Sequence, residues 1–167
     1  MWGTWQARML VENAFSNPFV NCLKLKHLDL GHLEGWQGSK SCQINMPIKL
    51  ITQSCPALVC LNLSGNRNLT GEGVQNIFEN CSQLLTLNLS GTYIDDIGFK
   101  NIPRNCFKLQ HLDLSKTRIS FRCAKRIAKK FRALRYLQLA SILSLGQEQV
   151  KIICDMFPHI EIFPCVA

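Results

Sequence analysis

Apolar residues recur along the chain in a nine-residue pattern, C-x-x-L-x-x-L-x-L, that predicts a short β-strand. Its clearest copies are CLKLKHLDL, CPALVCLNL, CSQLLTLNL and CFKLQHLDL, which begin at Cys22, Cys55, Cys81 and Cys106. The final Leu-x-Leu places two apolar side chains on one face of an extended chain. A helical pattern follows each copy, for example Phe99, Ile102 and Cys106 at spacings of three and four. Each unit therefore predicts a strand, a loop and a helix.

Two further copies follow if Phe replaces the leading Cys. They consist of Phe131 with Leu134, Leu137 and Leu139, and of Phe157 with Ile160, Phe163 and Cys165. Successive copies begin 33, 26, 25, 25 and 26 residues apart. This periodicity is typical of leucine-rich repeats, whose units must stack because none can bury its apolar face alone. We expect an α/β solenoid, a short horseshoe with parallel strands on the concave face and helices on the convex face.

The repeats also define the expected organisation of the chain. Residues 22–167 form the array, of about six strands. Residues 1–21 form an N-terminal cap or a truncated repeat. The long first step places an inserted loop near residues 31–43, and this loop contains Trp36. Two interpretations of Trp36 are open: it anchors a partner, or it folds back over the edge of the repeats.

Composition sets limits on the class of protein. The chain is 47% hydrophobic and 18% charged, which excludes a mainly disordered protein. No apolar run is long enough to cross a membrane. The opening residues lack the basic-then-apolar order of a secretory signal, so we expect a cytoplasmic or nuclear protein. The nine cysteines are odd in number and include no C-x-x-C pair, which favours buried, reduced packing residues over disulfides or zinc ligands.

No pattern in the sequence predicts catalysis or a cofactor. The chain contains no phosphate-binding loop, no G-x-S-x-G and no H-E-x-x-H. His27 and His111 lie three repeats apart, roughly 15 Å at strand spacing, which is too far to share a metal ion. We therefore expect a protein that is not an enzyme and that carries neither cofactor nor metal.

Strand alternation predicts which side chains the concave face displays. The residues on either side of the central Leu of each unit are mostly polar and of medium size, a composition that suits protein recognition. In the last unit the same positions would hold Ile162 and Pro164. The alternative is that these side chains only solvate an open sheet. Six of them are the candidates for partner binding: Thr86, Asn88, His111, Asp113, Tyr136 and Gln138.

One segment carries the positive charge of the chain. Residues 116–135 contain nine of the 19 Lys and Arg residues and no acid, whereas the rest has 10 bases and 11 acids. On a helix, Ala124, Ile127, Ala128 and Phe131 form the inward stripe. The interpretations are a solvated surface, a site for an acidic protein partner, a nuclear-localisation signal, or a surface for nucleic acid or membrane, and this last interpretation is the least favoured. The outward cations are Arg122, Lys125, Arg126, Lys129 and Lys130.

The repeats resemble the cysteine-containing leucine-rich repeats of F-box proteins. The similarity is strongest in LNLSGTYIDDIGFKNIPRNC, residues 87–106, and in LNLSGNRNLTGEGVQNIFENC, residues 61–81. The resemblance implies that the arc grips a substrate protein while a separate F-box docks onto the adaptor of a cullin–RING (SCF-type) ubiquitin ligase. Other subunits of such a ligase transfer ubiquitin, so the resemblance implies no catalytic residues here.

The chain departs from that family before its first repeat. Residues 1–21 do not read as an F-box, so a ligase adaptor is an expected partner only if a longer form of the protein carries one. The chain is then a fragment or isoform of a receptor, and it binds a protein substrate. The alternative is an F-box-less relative that serves as an adaptor or as a structural subunit of a larger complex.

Overall fold

The computed structural model describes residues 22–32, 44–100 and 108–163. Within them, six three-residue strands pair in parallel, in chain order, into one sheet. The central apolar residues of neighbouring strands are in register, as in the pairs Leu61–Leu87 and Leu87–Leu112. This arrangement confirms the predicted α/β solenoid. The strands are β1 (His27–Asp29), β2 (Cys60–Asn62), β3 (Thr86–Asn88), β4 (His111–Asp113), β5 (Tyr136–Gln138) and β6 (Glu161–Phe163).

Helical segments connect the strands and lie on the convex side of the sheet. In the described residues, four are α-helices of ten residues each, and a shorter 3-10 helix, Asp96–Phe99, lies between β3 and β4. None of the described helices is both long enough and apolar enough to cross a membrane. The α-helices are α1 (Asn45–Ser54), α2 (Gly71–Asn80), α3 (Phe121–Lys130) and α4 (Gln147–Met156).

The core is a continuous apolar layer between the sheet and the helices. Each strand from β2 to β5 contributes its central residue and the residue two positions later, such as Leu87 and Leu89, both essentially inaccessible to solvent. The helices contribute residues at helical spacing, such as Val74 and Ile77 in α2. Every unit therefore buries its apolar side chains against its neighbours as well as within itself, which is the source of stability in a stacked array.

The third unit, which begins at Cys81, departs from the predicted pattern. Phe99 was expected to begin a run of helix that includes Ile102 and Cys106, but it ends the 3-10 helix, and the two later residues lie outside the described part of the chain. The carboxylate of Asp95 accepts a hydrogen bond from the backbone N–H of Ile97 at 3.0 Å and so caps the short helix.

The prediction for the last strand is wrong by one residue. Ile162, not Phe163, pairs with Leu137 and faces the core, and Phe163 pairs with Gln138 on the open face. Only one residue separates Ile160 from Ile162, whereas two separate Leu134 from Leu137 in the unit before. Because strand side chains alternate, a shift of one residue exchanges the two faces. Pro164 and Cys165 lie outside the described residues.

The predicted N-terminal cap, residues 1–21, and most of the predicted inserted loop, including Trp36, also lie outside the described residues. Both interpretations of Trp36 therefore stay predictions.

Candidate functional site

The open face of the sheet holds a pocket of about 340 Å³ across its central and C-terminal strands. All six candidate residues line it, because they flank the buried central leucines of β3, β4 and β5. Phe163 of β6 completes one wall. The structure thus brings the predicted residues together in one concave site, which we call the concave pocket: Thr86, Asn88, His111, Asp113, Tyr136, Gln138 and Phe163.

Two stacked rings form a flat surface within the concave pocket. His111 and Tyr136 occupy paired positions on β4 and β5. Their ring centroids lie 4.5 Å apart and their planes differ by 13°. Strand spacing of about 4.8 Å holds the rings at this separation without any movement of the backbone. Tyr136 is 38% exposed, so the stack presents an aromatic surface to a ligand.

Two of the candidate residues also have a structural role. The Oδ1 atoms of Asn88 and Asp113 accept hydrogen bonds from the backbone N–H groups of Ser90 and Ser115, at 2.9 and 2.8 Å. These bonds fix the direction of both side chains at the end of their strands. A carboxylate has a second oxygen, so Asp113 keeps an acceptor for a ligand while its first oxygen supports the turn.

Acidic groups dominate the charge of the concave face. Among the described strand residues that point away from the core, Asp29, Asp113 and Glu161 carry carboxylates, and none is Lys or Arg. Glu161 pairs with Tyr136, next to the ring stack. The whole chain has a formal charge of +8, so this face differs in sign from the protein as a whole. It therefore favours a cationic ligand.

Phe163 lines the pocket although the sequence prediction assigned its side chain to the core. Its side chain is 40% exposed on the concave face. Counting forward from Ile160 with a gap of one residue instead of two places Ile162 in the core and Phe163 on the concave face.

The basic helix lies on the other side of the sheet from the concave pocket. Its inward stripe is buried as predicted, with Ile127 fully inaccessible. Two of the five outward cations make contacts within the chain. The Lys125 Nζ atom lies 4.3 Å from the centroid of the Phe121 ring, and Arg126 Nη2 donates a hydrogen bond to the carbonyl oxygen of Asp96 at 3.2 Å. Arg122, Lys129 and Lys130 are exposed on the same helix.

Of the six cysteines that the structure describes, Cys55, Cys81 and Cys123 are buried as predicted, whereas Cys22, Cys60 and Cys154 are partly exposed. Cys55 and Cys81 are buried at the start of their units. Burial raises the pKa of the Cys55 thiol to about 12, with a further increase from nearby Cys22. Burial, with the charge of Asp96, likewise raises the pKa of Cys123 to about 12. Thiols with such high pKa values are poor nucleophiles at neutral pH.

No metal site is apparent in the part of the chain that the structure describes, since no three His, Cys, Asp or Glu side chains there lie close enough to hold an ion. Cys60 lies on the concave face, partly exposed, but it does not line the pocket. The arrangement can bind a ligand by aromatic contact and by hydrogen bonding.

Comparisons with known proteins agree with the repeat architecture. A family described as "Leucine Rich repeat" matches residues 54–78. No curated protein matches the sequence. The structure resembles the tropomodulin C-terminal domain of Caenorhabditis elegans, with a TM-score of 0.62, 11% identity and coverage of 92% of both chains. A structure of leiomodin-1 actin-binding site 2 has a TM-score of 0.45 at 11% identity, and the matched region covers 93% of this chain and 77% of the leiomodin chain.

At 11% identity the tropomodulin likeness shows the fold alone, and the leiomodin similarity is too low to support an argument. The family match spans one unit, and five further strands repeat that unit's geometry. The chain is therefore built from leucine-rich repeats folded as an α/β solenoid.

Proposed function

We propose that this protein is a protein-interaction module whose concave pocket binds a peptide segment of its partner through a Lys or Arg side chain. The observation that carries this proposal is the concave pocket itself, where aromatic, amide and carboxylate groups from four consecutive strands converge. A cation placed over the face of Tyr136 that His111 leaves uncovered gains from the ring quadrupole. Asp113 on β4 and Glu161 on β6 supply carboxylates on the two strands that flank the strand of Tyr136.

Binding rather than catalysis suits the chemistry of the site. Tyr is effective in recognition because it supplies contact area with little loss of side-chain freedom. Asn88 and Asp113 are already held in place by their own backbone bonds, so a partner would meet a preorganised surface. We propose accordingly that the protein has no enzymatic activity of its own.

The test is selection of a displayed random-peptide library on the purified protein, followed by calorimetric titration of the enriched peptides. We expect these peptides to carry Lys or Arg. Tyr136→Ala combined with His111→Ala should weaken binding by at least about tenfold. Asp113→Asn keeps the Oδ1 acceptor for Ser115 while removing the charge, so it should weaken only cationic peptides.

Exposed convex residues offer the matched control. Arg122→Ala on α3 should leave the affinity unchanged. Peptides that bind the Tyr136 and His111 double variant as tightly as the native protein would place the interaction outside the concave pocket and contradict the proposal.

A more specific proposal is that this arc recognises substrates for a cullin–RING ubiquitin ligase. Its support is the resemblance of residues 61–81 and 87–106 to the repeats of F-box proteins. The alternative is an F-box-less adaptor or structural subunit, and polyanion binding by α3 is a third possibility. Affinity purification from cytoplasmic and nuclear fractions, comparing this chain with the longest product of its gene, separates the first two. Recovery of ligase subunits with an F-box-containing product supports the receptor, and their absence supports the adaptor.

Polyanion binding by α3 is tested separately by salt dependence. An interaction with phosphates weakens steeply as salt rises. Replacement of Arg122, Lys129 and Lys130 by Glu should abolish it, because these residues are exposed and not tied to the neighbouring unit as Arg126 is.

A further inference from the structure

Three exposed side chains, Arg67, Tyr93 and Arg118, meet where the chain leaves three consecutive strands, and we call them the arginine–tyrosine edge. The Cζ atom of Arg118 lies 3.9 Å from the centroid of the Tyr93 ring, and that of Arg67 lies 5.9 Å from it. Tyr93 is 47% exposed. None of the three lines the concave pocket, so this is a separate surface.

The backbone immediately before each member of the edge is fixed in the same way. The buried side chains of Asn66, Thr92 and Thr117 donate hydrogen bonds to the carbonyl oxygens three residues earlier, at 2.9, 2.6 and 2.6 Å. Arg67, Tyr93 and Arg118 each follow directly, at equivalent positions of successive units. Repeat stacking therefore holds their side chains next to one another, and a ligand meets a surface that is already ordered.

The electrostatics of the edge favour an anion. The ring quadrupole of Tyr93 attracts both guanidinium groups, but holding two like charges near one ring makes them repel each other. Two carboxylates close to Tyr93 in sequence already accept hydrogen bonds within the chain, Asp95 through one oxygen and Asp96 through both. Asp95 accepts from the backbone N–H of Ile97, and Asp96 accepts from Ser120. A carboxylate from a ligand fits the planar fork of a guanidinium and would offset the repulsion.

Apolar side chains beside the edge indicate what else the ligand contains. Leu143 occupies the equivalent position in the next unit and is fully exposed, and Ile97 is 64% exposed. A ligand that combines an acid with an apolar group would cover both kinds of surface. Nucleic acid fits less well, because Arg118 already covers one face of Tyr93 and leaves less room for a base to stack.

We propose that the arginine–tyrosine edge is a second protein-binding surface, which takes a peptide segment with Asp or Glu next to Leu or Phe. It is independent of the concave pocket, and either surface can operate without the other.

The test uses two displayed peptide libraries selected on the full chain, one built from acidic and apolar residues and the other with Lys and Arg in place of the acids. We expect the acidic library to yield binders. Arg67→Gln combined with Arg118→Gln should lower their affinity by at least about tenfold. Arg118→Lys keeps the charge but loses the fork, so it should also weaken binding. Thermal unfolding verifies that each variant is folded.

Two controls define the site. Arg122→Gln combined with Lys130→Gln removes the same charge from exposed positions on α3 and should change nothing at the edge. The double variant at Tyr136 and His111 should likewise retain acidic peptides, so failure of the concave-pocket proposal would be seen separately. The proposal is overturned if the acidic library yields no binders, if its binders tolerate the Arg67 and Arg118 changes, or if the α3 control weakens them equally. Tighter binding of a single-stranded oligonucleotide at this edge would overturn it as well.

Discussion

Asp96 joins two consecutive units of the array through a single carboxylate. Its Oδ1 accepts a hydrogen bond from the backbone N–H of Ser120 at 2.7 Å, and its Oδ2 accepts one from the Ser120 hydroxyl at 2.6 Å. Ser120 is the N-cap of α3, and its hydroxyl oxygen in turn accepts from the backbone N–H of Cys123. Burial alone would raise the pKa of Asp96, but the hydrogen bonds from Ser120 outweigh burial, with help from Cys123 and Arg126, and the pKa is lowered.

Asp96→Asn should therefore reduce stability in a pH-dependent way. At neutral pH we expect the free energy of unfolding to fall by about 1–2 kcal/mol, since bonds to a charged acceptor are weakened. Because the folded-state pKa lies below the unfolded value of about 4, the stabilisation is complete above that value and is lost as pH falls through the folded-state pKa. Urea unfolding at a series of pH values, from neutral pH to below the folded-state pKa, should show the free energies of unfolding of the native and variant proteins converging. Asp155→Asn, which changes an exposed acid on α4, should show no such convergence, and parallel curves for Asp96→Asn would refute the argument.

Sequence alternation was sufficient to place the candidate residues on one face but not to describe their contacts. Thr86 and Gln138 could be assigned to the concave face because period-two alternation needs only the position of the buried leucine. The stacking of His111 on Tyr136 depends on the neighbouring unit, which lies 25 residues away in sequence. The same holds for Asp96 and Ser120, which are 24 residues apart. To predict which side chains meet across units, one must know the register of the neighbouring strands, and the sequence indicates that register only approximately.

Units of this array are held at close distance where two glycines meet. Gly71 begins α2, and a Cβ atom added to it would lie 2.7 Å from the backbone nitrogen and 2.9 Å from the Cα atom of Gly98, in the 3-10 helix. Backbone atoms cannot move aside as a flexible side chain does. The approach of α2 to the next unit therefore depends on the absence of a side chain at this position.

Gly71→Ala should destabilise the protein by about 1–3 kcal/mol, because the extra methyl group forces the two segments apart. The opposite sign would be expected from helix propensity alone, since Ala is favoured over Gly by about 1 kcal/mol in a helix. Chemical unfolding distinguishes a loss of stability caused by the close contact from a gain caused by helix propensity. Gly146→Ser at the N-cap of α4 is the control, because nothing lies within 4 Å of the added atom there. A variant at Gly71 as stable as the native protein would show that the close approach can relax.

Element boundaries followed the apolar pattern except where a unit changed length. The strands of the first five units were predicted correctly, whereas β6 slipped by one residue because the gap after Ile160 is shorter. The turn after each strand was also hidden in the sequence, since a left-handed backbone recurs at one repeat position but only two of its residues are glycine. These residues are His32, Gly65, Gly91, Lys116 and Ser141. Stacking of the units imposes a conformation that the local sequence does not favour.

At the scale of the whole molecule, local charge differs in sign between the concave strands and the basic helix α3. The concave strands carry carboxylates and no Lys or Arg in the described residues, while the convex helix α3 and the arginine–tyrosine edge carry cations. Opposite potentials on opposite sides allow two partners of different charge to bind the same short array without competing. The basic segment and the concave Asp29 and Asp113 were evident from sequence, whereas Glu161 was not, because its place on the concave face required the corrected register.

A stacked array should open unequally along its length, and its buried thiols report this. Helix α1 packs against α2 on one side, whereas α3 contacts both α4 and the 3-10 helix. In an array whose units interact only with their neighbours, opening around α1 disrupts one of these described interfaces, whereas opening around α3 disrupts two. Cys55 directly follows α1 and Cys123 lies within α3, and both thiols are fully buried.

We therefore expect Cys55 to be alkylated faster than Cys123 in low urea. Burial and a pKa of about 12 prevent either thiol from reacting in the closed structure, so each rate reports local opening. Iodoacetamide labelling followed by peptide mass spectrometry measures both rates in one sample, and the partly exposed Cys60 should react first as an internal reference. Equal rates for Cys55 and Cys123 at every urea concentration would mean that the array opens as one unit, with coupling between repeats stronger than their separate stabilities.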